Sequence, residues 1–104
     1  MIAFSIKAIS EQEAVICLDG DLDIDSTEVV EENILPEMES YSQITFDFSK
    51  VPFVDSSGMG LLLNIVHALH DQHKSIKIIN VNEDVQIVFD LLQIPEIIGE
   101  DIFL

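Results

Sequence analysis

A chain of 104 residues, 48% hydrophobic and 23% charged, is long enough for one hydrophobic core and too apolar to remain disordered. Lysine and arginine together number only four against twenty aspartates and glutamates, a formal net charge of −16. That surface repels phosphate backbones and anionic lipids, which excludes nucleic-acid binding through a basic face and disfavours membrane binding; it would steer a basic partner inward, or serve solubility alone.

In chain order, Ile2, Phe4, Ile6 and Ala8 alternate with Ala3, Ser5 and Lys7, the pattern of a strand with one wet face. Ser10–Glu13 is a polar turn, and the apolar run Ala14–Leu18 predicts a more buried second strand, close enough to the first for an antiparallel hairpin. Cys17, the single cysteine, lies in this run, so no internal disulfide forms and an inert buried thiol is expected. Asp19-Gly20-Asp21 ends the strand. Leu22–Asp25 then leads into a helix, with Asp25 and Glu28 at capping-box spacing and Val29, Val30, Ile34 and Met38 as an inner stripe. Pro36 predicts a kink or break near Leu35.

The central stretch covers residues 44–70. Ile44, Phe46 and Phe48 alternate with Thr45 and Asp47 as a half-buried strand, and Ser49, Lys50 and Pro52 make a loop. Asp55-Ser56-Ser57-Gly58 introduces a helix, because aspartate and serine oxygens accept from the free N–H groups of a first turn. At about 100° per residue, Met59, Leu62, Leu63, Val66, Leu69 and His70 share the core side, while Ser57, Leu61, Asn64 and Ala68 share the opposite side. A hydroxyl at a helix N-terminus thus stands above an apolar Leu61 on the outward face, where Leu61 is placed to meet a partner. After a loop at 71–74, Ser75–Asn80 is a short strand. Asn82-Glu83-Asp84 caps a helix carrying Val85, Val88, Phe89 and Leu92, and Pro95 closes it. Ile97-Ile98 and Ile102–Leu104 hold at most one further short strand.

This order predicts an α/β fold: a small mixed sheet of four to five strands with about three helices mainly on one face, forming one domain over 1–104. No basic leader with a continuous apolar stretch opens the sequence, and no segment approaches a membrane span, so a cytoplasmic location is expected.

The stretch FDFSKVPFVDSSGMGLLL at 46–63 resembles the signature of the STAS family (sulphate transporter and anti-sigma-factor antagonist domains), and more narrowly the bacterial anti-sigma-factor antagonists. Gly20-Asp21-Leu22-Asp23 is similar to that family's second-strand exit, and the helical segment Val85–Leu92 matches as well. The resemblance implies a STAS-like fold lacking the family's C-terminal helix. It also implies a protein that is not an enzyme, needs no cofactor, and is a monomer or weak dimer. On this reading Ser57 is phosphorylated by an anti-sigma factor with serine kinase activity. The unmodified form binds that factor, the phosphorylated form is released, and a phosphatase restores the hydroxyl. Ser56 is the alternative acceptor, or a cap. Asp23, Asp55, Ser56, Gly58, Leu61 and Asn64 form the expected partner surface. A STAS scaffold or partner-switching subunit in a stress-signalling assembly without a sigma factor is the alternative function.

Other chemistries find less support. Asp23 and Asp55 could be paired acid–base carboxylates, but no reaction suggests itself. His67, His70 and His73 repeat every third residue, whereas helical metal pairs favour i, i+4 spacing, so no metal site is expected. Gly58-Met59-Gly60 lacks the remaining glycine spacing and the lysine of a phosphate loop.

Overall fold

A computed structural model describes residues 2–91 and 93–94. Strands β1 (Ala3–Ala8), β2 (Glu13–Asp19), β3 (Gln43–Lys50) and β4 (Ser75–Ile79) form one sheet in the order β1-β2-β3-β4. β1 and β2 are an antiparallel hairpin with Ile6 opposite Ile16. β2–β3 and β3–β4 are parallel, so a helical crossover joins each pair. These crossovers are α1 (residues 24–37) and α2 (Ser56–Asp71), and α3 (Glu83–Leu91) follows β4.

The alternation seen in the sequence becomes burial on one sheet face. Ala14, Ile16 and Leu18 of β2, Ile44, Phe46 and Phe48 of β3, and Ile76 and Ile78 of β4 all point into the core. Val15 and Cys17, inside the apolar run, are only half-buried because they lie on the other face. There the Cys17 thiol donates to Asp47 Oδ2 at 3.9 Å, so it is less buried than expected. Val30 and Ile34 of α1 and Met38 just after it, with Val85 and Phe89 of α3, close the core, and Phe48 meets Phe89 edge to face at 6.1 Å.

Helix α1 is irregular for an identifiable reason. It starts with a 3₁₀ turn (Ile24–Ser26) and widens into a π turn over Val30–Ile34, where Leu35 N–H donates to Val30 C=O. Pro36 has no N–H to continue an α ladder and its ring crowds the preceding turn. The expected break near Leu35 therefore takes the form of a widened turn. The cap differs from expectation: Asp23, not Asp25, begins α1. Asp23 Oδ1 accepts from Asp25 N–H at 3.1 Å, and Ser26 Oγ accepts from Asp23 N–H at 3.2 Å. Ser26 is fully buried and its hydroxyl donates back to Asp21 C=O at 3.1 Å.

β3 runs two residues further than expected, through Ser49 and Lys50. Asn82 caps α3 as expected, its Oδ1 accepting from Val85 N–H at 2.8 Å. Leu92, Pro95 and the short strand expected within 97–104 lie outside the described residues.

Candidate functional site

The two parallel strands β2 and β3 end at the same edge of the sheet, and each exit is drawn out into a short extension. Gly20 turns the first with φ of 121°, a left-handed value that favours glycine. Its N–H donates to Lys50 C=O at 3.0 Å. Leu22 then pairs with Val54 as a parallel bridge, with Leu22 N–H on Phe53 C=O at 3.0 Å and Asp55 N–H on Leu22 C=O at 3.3 Å. The bridge sets residues 23 and 55 side by side at the carboxyl ends of parallel strands, where open α/β sheets commonly place their sites. The expected proximity of Asp23 and Asp55 is thus a property of the backbone.

Each of these aspartates begins a helix. Asp55 has extended backbone, and its Oδ1 accepts from Gly58 N–H at 2.7 Å. Capping of α2 is therefore performed by Asp55, and neither Ser56 nor Ser57 is needed for it. Both serines are exposed in the first turn of the 16-residue helix. From Ser57 an exposed track continues through Gly60, Asn64, His67 and Asp71. Gly60 has nothing within 4 Å of where a Cβ would lie, so the helix backbone can be approached closely there.

Three placements differ from the sequence reading. Leu61, expected outward, is 5% exposed and part of the core. Gly58, expected in the partner surface, is buried: a Cβ on it would lie 1.9 Å from Leu22 O. His70, expected on the core side, is exposed. The cause is common to all three. α2 contacts both β4 and the first turn of α1, so its buried arc is wider than a single stripe and centres near Ile65, running from Leu61 through Leu62 to Val66 and Leu69. A stripe centred on Leu63 turns the helix too far.

Residues that periodicity did not mark also stand here. Phe53, in the loop before Asp55, is 52% exposed, and Ile24, just after Asp23, is 68% exposed. Each is a sequence neighbour of the Leu22–Val54 bridge pair or its aspartates and adds exposed apolar surface there. Pro52-Phe53 in a loop was the only hint, since an isolated aromatic outside a periodic segment carries no facing information.

Acidic groups dominate this end of the molecule: Asp21, Asp23, Asp25 and Asp55 lie within or beside the two exits. On the sheet face opposite the core, burial pushes the Asp47 carboxyl up, but the backbone N–H of Ser49 at 2.9 Å and the Asn80 amide at 3.2 Å outweigh it, with smaller help from the Ser49 side chain and Cys17. The result lies below the ordinary aspartate range.

Comparison with known proteins agrees with this fold. The STAS domain model matches residues 5–104. The anti-sigma-B factor antagonist of Bacillus subtilis is 25% identical over 89 residues, spanning 86% of this chain and 82% of that protein. The anti-sigma factor antagonist SpoIIAA in its unphosphorylated form superposes with a TM-score of 0.72 at 27% identity, covering 88% of this chain and 81% of that one. Phosphorylated SpoIIAA, the Bacillus cell fate determinant, shares the fold with a TM-score of 0.72 at 23% identity over 98% of this chain and 89% of that one.

Proposed function

The chain belongs to the STAS domain family, and from that premise we propose that it is an anti-sigma-factor antagonist switched by phosphorylation of Ser57. The observation that carries the reading is the exposed Ser57 hydroxyl in the first turn of α2, beside a carboxylate that already caps the helix and across a backbone bridge from Asp23. The relatives named for antagonism of an anti-sigma factor support the same role.

The chemistry belongs to a kinase partner. Ser57 Oγ attacks the γ-phosphorus of ATP, the new O–P bond replaces the bridging bond to ADP, and the hydroxyl proton leaves to a base on the kinase. A phosphatase reverses the modification by hydrolysis to serine and inorganic phosphate. This chain supplies the acceptor, its position and the surface that is read. Ser56, one residue earlier and also exposed, helps the kinase register the turn.

Charge explains how one phosphoryl group changes binding without changing the fold. It adds about −1.5 to −2 charges. The N-terminal turn of α2 is the positive end of the helix dipole and tolerates them, so the helix persists. The partner does not tolerate them equally, because docking strips water from a site already carrying Asp23 and Asp55. A penalty of about 3 kcal/mol weakens association roughly a hundredfold. Unmodified chain holds the anti-sigma factor and frees its sigma factor; phosphorylated chain lets go. Asn64 on the exposed track belongs to the contact surface, whereas Gly58 and Leu61 shape it from beneath.

The test is intact-mass analysis with site mapping on chain purified from its native cells under growth and stress. The expected result is a fraction carrying one phosphoryl increment on Ser57 that varies with condition. Ser57 unmodified under every condition would refute the switch.

A further inference from the structure

The surface next to Ser57 contains a groove that the phosphorylation switch does not use. Pro52, Phe53 and Val54 form one wall, and Asp84, Val85 and Val88 of α3 form the other, enclosing about 300 Å³. That volume is at the bottom of the range for small-molecule sites and suits one or two side chains. Ile87 at 56% exposure and Leu91 at 76% extend apolar surface along α3 at i, i+4 spacing.

Both walls are fixed. The Asn82 amide donates to Val51 C=O at 3.0 Å while its oxygen caps α3, so the start of α3 is tied to the loop that bears Phe53. That loop continues directly into the Leu22–Val54 bridge and Asp55. The groove and the Ser57 turn are therefore tied to the same loop, and the fixed walls lower the ordering cost of binding.

The charge around the groove selects its occupant. Asp84 lines it, Glu83 precedes it on α3, and Asp55 lies two residues beyond Phe53, against Lys50 two residues before Pro52. Apolar walls with the Asp84 carboxylate among them match an apolar side chain carried next to a cation. We propose that this groove is an anchor pocket for the anti-sigma partner, taking a leucine- or phenylalanine-sized side chain whose sequence neighbour is lysine or arginine. The apolar group packs on Phe53 and Val88, and the cation faces Asp84. The proposal rests on the partner-docking reading of the Ser57 surface but has its own readout. Buried aromatic anchors in pockets typically carry a large share of binding energy, whereas phosphate on Ser57 acts by repulsion.

The experiment is an NMR titration of ¹⁵N-labelled full chain with N-acetyl-Leu-Lys-amide, with N-acetyl-Leu-Glu-amide as the charge control. The lysine peptide should shift amides of residues 53–54 and 84–88, and the glutamate peptide should bind more weakly. Phe53→Ser, at a half-exposed position that preserves the dispersed spectrum, should weaken the lysine peptide at least tenfold. Phe53→Ser should also weaken the purified anti-sigma factor at least tenfold with Ser57 unmodified. No shifts, as when the chain's own residues fill the groove, would overturn the proposal. So would shifts centred elsewhere, equal binding of both peptides, or full partner affinity in Phe53→Ser. Peptide binding that survives while Ser57 modification has no effect on the partner would sink the switch and leave the pocket standing.

Discussion

Gly58 packs directly against the backbone carbonyl of Leu22, so closely that a Cβ at position 58 would lie 1.9 Å from the oxygen and 2.6 Å from the carbon. The contact docks the first turn of α2 onto the exit of β2 and thereby sets where Ser57 stands relative to Asp23. Both neighbours are backbone atoms held in the Leu22–Val54 bridge, so they cannot yield as a side chain would.

Gly58→Ala should therefore destabilise the domain by about 3 kcal/mol or more through overpacking. Gly60→Ala, exposed on the same helix with open space around it, should stabilise by about 0.5–1 kcal/mol. Urea unfolding of the two variants beside the parent measures both. Equal effects would mean that close approach at Gly58 is unimportant.

Leu61→Ala should cost about 2–5 kcal/mol as a core truncation, since the side chain is 5% exposed. Asn64→Ala on the exposed track should change stability by no more than about 0.5 kcal/mol while weakening partner binding. Paired denaturation and binding measurements separate the two residues. A stable Leu61→Ala chain that fails only in binding would restore Leu61 to the partner surface.

The caps at the site are separable from its charge. Asp55→Ala removes the 2.7 Å bond to Gly58 N–H and should lower stability by about 1 kcal/mol; Asp55→Asn, which keeps a capping oxygen, should recover most of it. If both variants lose the same amount, the carboxylate charge at the helix dipole matters more than the hydrogen bond.

Asp47 gives a pH dependence with a definite sign. Its folded-state pKa is lowered, so the stability it contributes is complete above the unfolded value of about 3.9 and disappears as pH falls through the lower folded value. Asp47→Asn should flatten that part of the acid limb of the urea midpoint measured between pH 5 and pH 2. An unchanged limb would assign the loss to other carboxylates.

Much of the fold could be read from periodicity. Ile44, Phe46 and Phe48 alternate because one sheet face is dry, and that alone predicts β3 and its facing. Asp55 and Asn82 announce two helix starts through hydrogen bonds local to the sequence. What stayed hidden depends on partners distant in the chain. Leu61 reads as outward until the contact of α2 with both β4 and the first turn of α1 widens the buried arc. Asp23 and Asp25 are both cap-type residues at the start of the first helix, and the choice falls to Asp23 because Ser26 reaches its N–H while tied to Asp21. The Leu22–Val54 bridge joins positions 32 residues apart and has no local signature. Phe53 is likewise informative only once α3 stands opposite it. The first turn of α2 was legible in Asp55-Ser56-Ser57-Gly58, and the Leu22 carbonyl against which Gly58 packs was not.

Phosphate on Ser57 is proposed to release the partner. Calorimetric titration of the purified anti-sigma factor with unmodified chain and with chain carrying stoichiometric phosphoserine at position 57 tests it most directly. At least a hundredfold weaker binding by the phosphorylated form, about 3 kcal/mol, with an unchanged far-ultraviolet circular dichroism spectrum, is the expected result. Equal affinities of the two forms would rule out a phosphorylation switch at Ser57.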